Sequence, residues 1–348
     1  MAAYGAEQES AVQSSESFQK ACEAAGGRVD FVFGAERPFK SCHASTLVQA
    51  ANGDLLCAWF GGTEEGANDV GIWMSRFSEG RWSEPTRAAK VEEKAHWNPV
   101  LFRDGDDVVL FFKVGLNVPV WSTYWQRSSD NGATWSKAVE LVPGDVGGRG
   151  PVKDKPIVLT DGAWLAPASV ETEERWDPFA DRSEDHGKTW TRSEFWKIDK
   201  ATMPGIGAIQ PTLWEDAPGK VHALMRTGSG HIWRCDSEDG GKTWGAVYAT
   251  ELPNNNSGID LLRLEDGRLV LVFNPVGKRG GPRTPLDLAV SADNAKTWKT
   301  VAHLESDPDL ESEYSYPAII RTKTGLAVSY TWKRERIRCW QIPLEAIK

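Results

Sequence analysis

Ser128-Ser129-Asp130-Asn131-Gly132-Ala133-Thr134-Trp135 is one of four copies of a single pattern in this chain. The others are Ser183-Glu184-Asp185-His186-Gly187-Lys188-Thr189-Trp190, Ser237-Glu238-Asp239-Gly240-Gly241-Lys242-Thr243-Trp244 and Ser291-Ala292-Asp293-Asn294-Ala295-Lys296-Thr297-Trp298. A degenerate fifth copy, with Gly80 and Trp82 but no Asp, spans Ser75 to Trp82. The closing tryptophans stand at 82, 135, 190, 244 and 298, a period of 53 to 55 residues held over more than 200 positions. Each box reads as a tight turn between two strands. Its Asp accepts backbone N–H groups of the turn, its Gly supplies a positive φ, and its Trp is a packing plug across the neighbouring repeat. A carboxylate repeated in every unit serves the unit, so these Asp residues are structural and not catalytic.

Between boxes, short β-like runs alternate with turn signals. The clearest set is Gln210-Pro211-Thr212-Leu213-Trp214, Val221 to Met225, and Gly230 to Arg234, followed by the box. Four short strands in fifty-odd residues describe one blade of a propeller. Six inner strands are expected, near Ala44–Val48, Pro99–Phe102, Pro156–Leu159, Pro211–Trp214, Ile259–Leu264 and Pro317–Arg321. The last unit, Tyr316 to Pro343, shows three strands and no box. Arg28 to Phe33 is the spare strand that pairs the two ends of the chain and closes the ring. The expectation is all-β, a six-bladed β-propeller of four-stranded antiparallel blades with Asp-box turns, with seven blades as the competitor. It occupies residues 28–348, and residues 1–27 form a tail or a short helix (Ser10 to Ala25, stopped by Gly26-Gly27).

Composition narrows the function classes. Of 348 residues, 40 % are hydrophobic and 26 % charged, which is ordinary globular usage. A net charge of −9 argues against binding nucleic acid or an anionic membrane through bulk charge. The longest strand-like runs, such as Leu269 to Phe273, fall far short of the ~20 apolar residues of a membrane span. Cys22, Cys42, Cys57, Cys235 and Cys339 are odd in number and contain no Cys-x-x-Cys pair, against a disulfide framework or a zinc cluster. Met1 to Gln19 shows no secretory signal, so the chain as given reads as reduced and cytoplasmic, although a secreted chain shorn of its leader would read the same. His96 and His222 lack partners at metal-ligand spacing, His186 and His231 sit in or beside turns, and no phosphate loop or nucleotide fingerprint is present. No cofactor or metal is expected.

The boxes, their period and the blade count together resemble the sialidase superfamily, whose Asp-box modules are also called BNR repeats. The resemblance covers residues 28–348. It implies a carbohydrate partner, an acidic glycan or glycoside, bound where the inner strands begin at one mouth of the axis. The residues at those starts are His43, Asn98, Lys155, Gln210, the Asn254–Ser257 turn and Tyr316. Loops leaving the second strands add Glu64, Glu65, Asp69, Lys113, Glu171, Arg226, Asn274 and Arg283. Sialidases grip the substrate carboxylate with three arginines. Arg226, ahead of the Ser237 box, and Arg283, ahead of the Ser291 box, match the second and third. The family's nucleophilic tyrosine opens an inner strand before a Gly turn, which fits Tyr316 with Gly325; Tyr314 is the alternative. Where the family has its first arginine this chain has His43, and where a glutamate assists the tyrosine it has Gln210. The acid/base aspartate belongs to the loop that here carries Glu64, Glu65 and Asp69.

Three functions follow from this set. A sialidase-like exo-glycosidase on a carboxylate-bearing sugar would use Tyr316 as nucleophile. A phenol ionises near pH 10 and needs a carboxylate to take its proton, for which Glu64, Glu65 or Glu171 must replace the missing glutamate. A uronate lyase would clamp the carboxylate with Arg226 and Arg283, take the C5 proton with His43 and protonate the leaving oxygen with Tyr316. A binding propeller without catalysis would stack sugars on Trp97, Trp121, Trp176 or Trp332.

Overall fold

The structure, a computed structural model, describes residues 12–347. Six antiparallel sheets are arranged as blades, each with the first strand of its repeat innermost and, in the sixth, an outer strand supplied by the start of the described chain. The inner strands are Ser41–Gln49, Ala95–Asp104, Ile157–Val158, Ala208–Ala217, Asp260–Arg263 and Tyr314–Thr322. Six blades, not seven, surround the axis, and all six inner strands lie at the expected places.

The sixth blade contains both ends of the chain. Arg28–Phe31 forms its outer strand and pairs antiparallel with Arg336–Pro343, Arg28 opposite Gln341 and Phe31 opposite Arg338. The closing strand leaves no free edge between the first and last repeats. Ahead of it, Ser15–Ala24 is helical with Phe18 and Cys22 buried, and Phe18 stacks on Trp340 at 5.6 Å. Of the helix read from the sequence, Ser10 and Ala11 lie outside the described residues.

Each box folds as its composition dictates. Asp130 accepts from Thr134 N at 2.8 Å and Thr134 Oγ1 at 2.5 Å, while Ser128 Oγ accepts from Gly132 N at 2.8 Å. The same bonds recur around Asp185, Asp239 and Asp293. They hold the Asp130, Asp185 and Asp293 carboxyls well below the usual range, the hydroxyl and backbone donors of Thr134, Thr189 and Thr297 first among the causes. The box tryptophans pack toward the preceding blade: Trp190 lies 6.2 Å from Phe111, and Trp244 stacks on Trp196 at 4.1 Å.

A further feature positions the mouth of the axis. In four inner strands the ladder skips between His43 and Thr46, Trp97 and Val100, Ile209 and Thr212, and Ser315 and Ala318. Each bulge holds one non-glycine residue at positive φ: Ala44 at 55°, Asn98 at 41°, Gln210 at 51° and Tyr316 at 52°. In three of them the next residue is Pro99, Pro211 or Pro317, which has no N–H to give to the ladder. Bulges of this kind re-aim a side chain, here where the inner strands begin.

Candidate active site

Tyr316 sits in the bulge of the sixth blade, half-buried, with His43 against one side of its ring at a centroid distance of 4.2 Å. Gly258 lies on the ring as well; a Cβ there would come within 3.4 Å of Tyr316 Cγ. The phenol oxygen accepts an N–H of Arg226 at 2.5 Å, so its own proton is free to leave in another direction. Tyr314, the alternative tyrosine, is 4 % exposed and ties its hydroxyl to Asp307.

Arg226 ends the second strand of the fourth blade (Lys220–Thr227) and is 6 % exposed. Its remaining partners are Gln210 Oε1 at 2.9 Å and Asn256 Oδ1 at 3.2 Å. All three acceptors are neutral, and among the described residues Arg226 forms no ion pair. A buried guanidinium without a direct ion pair is costly, and the opposing charge of Glu171 reaches this one only from beyond Gln210. Gln210 extends the chain of bonds, its Nε2 donating to Glu171 Oε1 at 3.2 Å. Burial pushes the Glu171 carboxyl above its usual range, against the opposing pull of Arg226.

Arg283 belongs to a second group. Its Nη1 donates to Glu313 Oε1 at 2.6 Å and to Ser315 Oγ at 3.3 Å, and its Cζ lies 5.7 Å from the centre of the Tyr316 ring. The same Glu313 oxygen accepts from Arg334 Nε at 3.0 Å, and Arg334 Nη1 donates to Glu65 at 2.6 Å. Burial alone would raise the Glu313 carboxyl, but Arg283 and Arg334 outweigh it and hold it below the usual range. Three arginines therefore do gather near Tyr316, from the fourth, fifth and sixth blades and not from the first. Lys153 closes the floor, donating to Asp154, Ile259 O and Pro317 O at 2.7, 2.7 and 2.6 Å.

Several sequence expectations take other places. His43 is 2 % exposed with Nδ1 on Thr331 Oγ1 at 2.9 Å. Burial, reinforced by the charges of Arg334, Arg283, Arg226 and Lys153, keeps its imidazole well below the usual range, so it is neutral. The first-blade residue equivalent to Tyr316 is Ala44, one position on. Lys155 is remote from Tyr316: it pairs with Asp260, both oxygens at 2.8 Å, and lines the opposite mouth. The third-blade residue facing Tyr316 is Lys153. Lys113 is fully buried behind the site, with Nζ on Thr123 Oγ1 at 2.6 Å, and burial lowers its ammonium to about 7. Asp69 braces its own loop through Thr63 N and Oγ1, at 2.9 and 2.7 Å, and Asn274 is tied to Pro285 O and Tyr314 O. Asn98 and the exposed Glu64 make no side-chain hydrogen bond to any described residue, which leaves both available to a ligand. Trp97 and Trp121 are 4 % and 1 % exposed and pack on each other, so neither offers a face to a sugar. Trp332 lies against Phe31.

Arg334 had a signal in the sequence. The rule that selects Arg226, the residue leaving a second strand, selects Arg334 when it is carried on to the sixth blade, whose second strand is Gly325–Trp332. Glu313, just ahead of the tyrosine strand, carried no such mark.

Among solved structures, the chain is similar to a protein of unknown function from Dyadobacter fermentans, with a TM-score of 0.72, 17 % identity, and coverage of 90 % of this chain and 98 % of that one. It is similar to the NanB sialidase of Streptococcus pneumoniae, with a TM-score of 0.69, 14 % identity and coverage of 90 % and 69 %. For the intramolecular trans-sialidase of Ruminococcus gnavus the corresponding values are 0.68, 14 %, 93 % and 98 %. At these identities the likeness is one of fold. No curated protein matches the sequence. Residues 53–328 match the family of BNR repeat-like domains, and the chain belongs to that family.

Proposed function

We propose that the protein is a sialidase-like glycosidase acting on a carboxylate-bearing sugar at the Tyr316 mouth. The observation that carries this reading is Arg226, a buried guanidinium whose three direct partners are neutral and one of which is the phenol of Tyr316. The sugar carboxylate supplies the missing counterion, and a guanidinium fork matches a carboxylate with two parallel bonds. Arg283 and Arg334, steered by Glu313, flank it. Tyr316 then attacks the anomeric carbon as the bond to the leaving oxygen breaks. Glu64, exposed on the first-blade loop, gives that oxygen its proton and later takes one from the water that releases the sugar. Arg226 and Gln210 only donate along the bonds that join Tyr316 to Glu171, so they steady the phenolate and carry no proton. The phenol proton leaves on the other side of its oxygen and passes through solvent in the mouth to Glu171, whose raised affinity for protons suits it to receive one.

A second reading, elimination from a uronate, draws on Gln210 standing where a base for the tyrosine is expected. Its proposed base fares poorly, because a neutral His43 with depressed basicity lies under the tyrosine ring and is almost wholly buried.

A screen of sialosides, uronides and ulosonates, reading sugar release and near-ultraviolet absorbance together, separates the possibilities. Release without absorbance supports hydrolysis, and release with absorbance supports elimination. Neither signal, with binding retained, leaves a lectin. Tyr316→Phe should lower kcat by at least about a thousandfold with the fold intact. Turnover surviving that change would remove Tyr316 from the chemistry.

A further inference from the structure

Among the described residues, seven large hydrophobic side chains are exposed, and three of them stand together. Leu116 and Val120, 71 % and 48 % exposed, belong to the connection between two strands of the second blade, Asp107–Gly115 and Ser122–Ser128. Val146, 56 % exposed, lies on the segment that leads from this blade to the third. The other four, Val139, Val158, Tyr248 and Leu310, are scattered over three strands and a loop. Single apolar side chains at a surface are ordinary, whereas a group of them marks a place of contact.

The group is held firmly. A Cβ on Gly115 would come within 2.7 Å of Trp121 Cα, so the two ends of the connection touch. Between them Val118–Val120 is a single 3₁₀ turn, and Val118 packs on the core around Trp97. Gly147, next to Val146, donates its N–H to Trp121 O at 2.9 Å. Leu116 and Val120 thus stand on a turn pinned at both ends, with Val146 beside it.

The group also borders the Tyr316 mouth. Gly115 pairs with Ala95, just ahead of the Asn98 bulge. On one side, the loop of Glu64 rests on Trp97, 4.0 Å from a Cβ placed on Gly66, and Trp97 packs on Trp121. On the other side, Gly148 backs directly onto Ser169 O, two residues ahead of Glu171. The blades follow one another around the ring in chain order, so the second stands across the axis from the fifth. Arg226, Arg283 and Arg334 come from the fourth, fifth and sixth. A sugar held there by its carboxylate extends toward the opposite half of the mouth, where Glu64 and the apolar group lie.

We propose that Leu116, Val120 and Val146 form the subsite of the leaving group, and that the substrate is a glycoside joining an acidic sugar to an apolar alcohol such as an alkyl chain. The inference rests on the assignment of the Tyr316 site above. The three side chains offer a second sugar no hydrogen bond. An alkyl chain laid over them leaves water, which raises affinity by about threefold to fourfold for each methylene buried.

Methyl and octyl thioglycosides of N-acetylneuraminic acid and of glucuronic acid test this on the wild-type chain, because a sulfur link resists cleavage. Binding is followed by titration calorimetry. For the sugar that binds, the octyl probe should bind at least about tenfold tighter than the methyl probe. Leu116→Ser combined with Val120→Ser, changes at exposed side chains, should remove most of that gain while leaving methyl binding and the melting temperature unchanged. Arg226→Gln should weaken both probes alike. If the methyl probe binds and the octyl probe binds no tighter, or if the double variant keeps the gain, the subsite is refuted and the Tyr316 assignment stands. If no probe of either sugar binds at millimolar concentration, the Tyr316 assignment fails and the subsite with it. If the wild type sediments as a dimer that the double variant dissociates, the group is a contact between copies of the chain and the inference is overturned.

Discussion

Arg226 is the residue on which the chemistry turns, because the protein bears the cost of burying it before any ligand arrives. Removing that charge should cost the free protein little. Arg226→Gln is expected to melt within a few degrees of wild type, or above it, in the absence of sugar. With a saturating anionic sugar the wild type should gain stability, about 2.7 kcal/mol at a hundredfold excess over Kd, and the variant almost none. Thermal scans with and without sugar check this, and an equal gain in both proteins would show that the carboxylate binds elsewhere. Glu171 gives the pH dependence. Burial raises its pKa above the ordinary 4.5, and as an acceptor for the tyrosine proton it must be ionised. Activity should therefore fall as pH drops through that raised value, at a higher pH than an exposed carboxylate would dictate. Glu171→Gln should lower kcat about a hundredfold or more and remove that acidic limb from the pH profile. A limb that persists in the variant assigns the titration to another group.

At the scale of the element, the Asp box and the inner-strand bulge divide the labour of building a blade and building a site. The box is uniform because its bonds are local, and this is why the sequence showed it so plainly. One copy breaks the rule: Ala295 adopts φ 64°, where Gly132, Gly187 and Gly241 adopt 80°, 83° and 80°. Ala295→Gly should relieve that strain and change stability by no more than about +1 kcal/mol, the gain being offset by greater freedom in the unfolded chain. Gly187→Ala is the opposite case, since its new Cβ would meet Trp164 Cζ3 at 2.7 Å on top of the positive φ. It should cost about 2–3 kcal/mol in urea unfolding, and a loss comparable to the Ala295→Gly effect would refute the packing argument. The bulges were only half legible. Asn98-Pro99, Gln210-Pro211 and Tyr316-Pro317 coincide with three of them, but the same X-Pro pattern at Lys155-Pro156 stands at the other end of the axis. His43, which the sequence places at the start of the first inner strand, falls one residue short of the bulge residue Ala44, because a register skip leaves no mark in a strand without proline. The Arg283–Glu313–Arg334 cluster was less legible still, for it joins two blades through one isolated backbone bridge and side chains distant in the sequence.

At the scale of the molecule, a ring of six blades concentrates distant residues only while it is closed, and its closure is non-covalent. The fourth and fifth blades send Arg226 and Arg283 to Tyr316 of the sixth, and Arg334 joins them through Glu313, so a gap anywhere in the ring would disperse the site. The joint is the strand Arg28–Phe31 together with Val32, which is fully buried and donates its N–H to Ile337 O at 2.9 Å. Val32→Pro removes that donor and unseats the side chain from its packing among Phe33, Phe39 and Trp59. It should cost about 3 kcal/mol or more. The way in which it melts is the more telling outcome. If each blade borrows stability from both neighbours, opening one joint weakens all of them, and the variant should still unfold in one transition at a lower temperature. Near-ultraviolet circular dichroism and fluorescence from the 17 tryptophans, spread over every blade, would then fall together. Two separate transitions, an early one confined to the sixth blade and a later one at the wild-type temperature, would mean that the blades stand on their own and that the closing strand serves only the blade it completes.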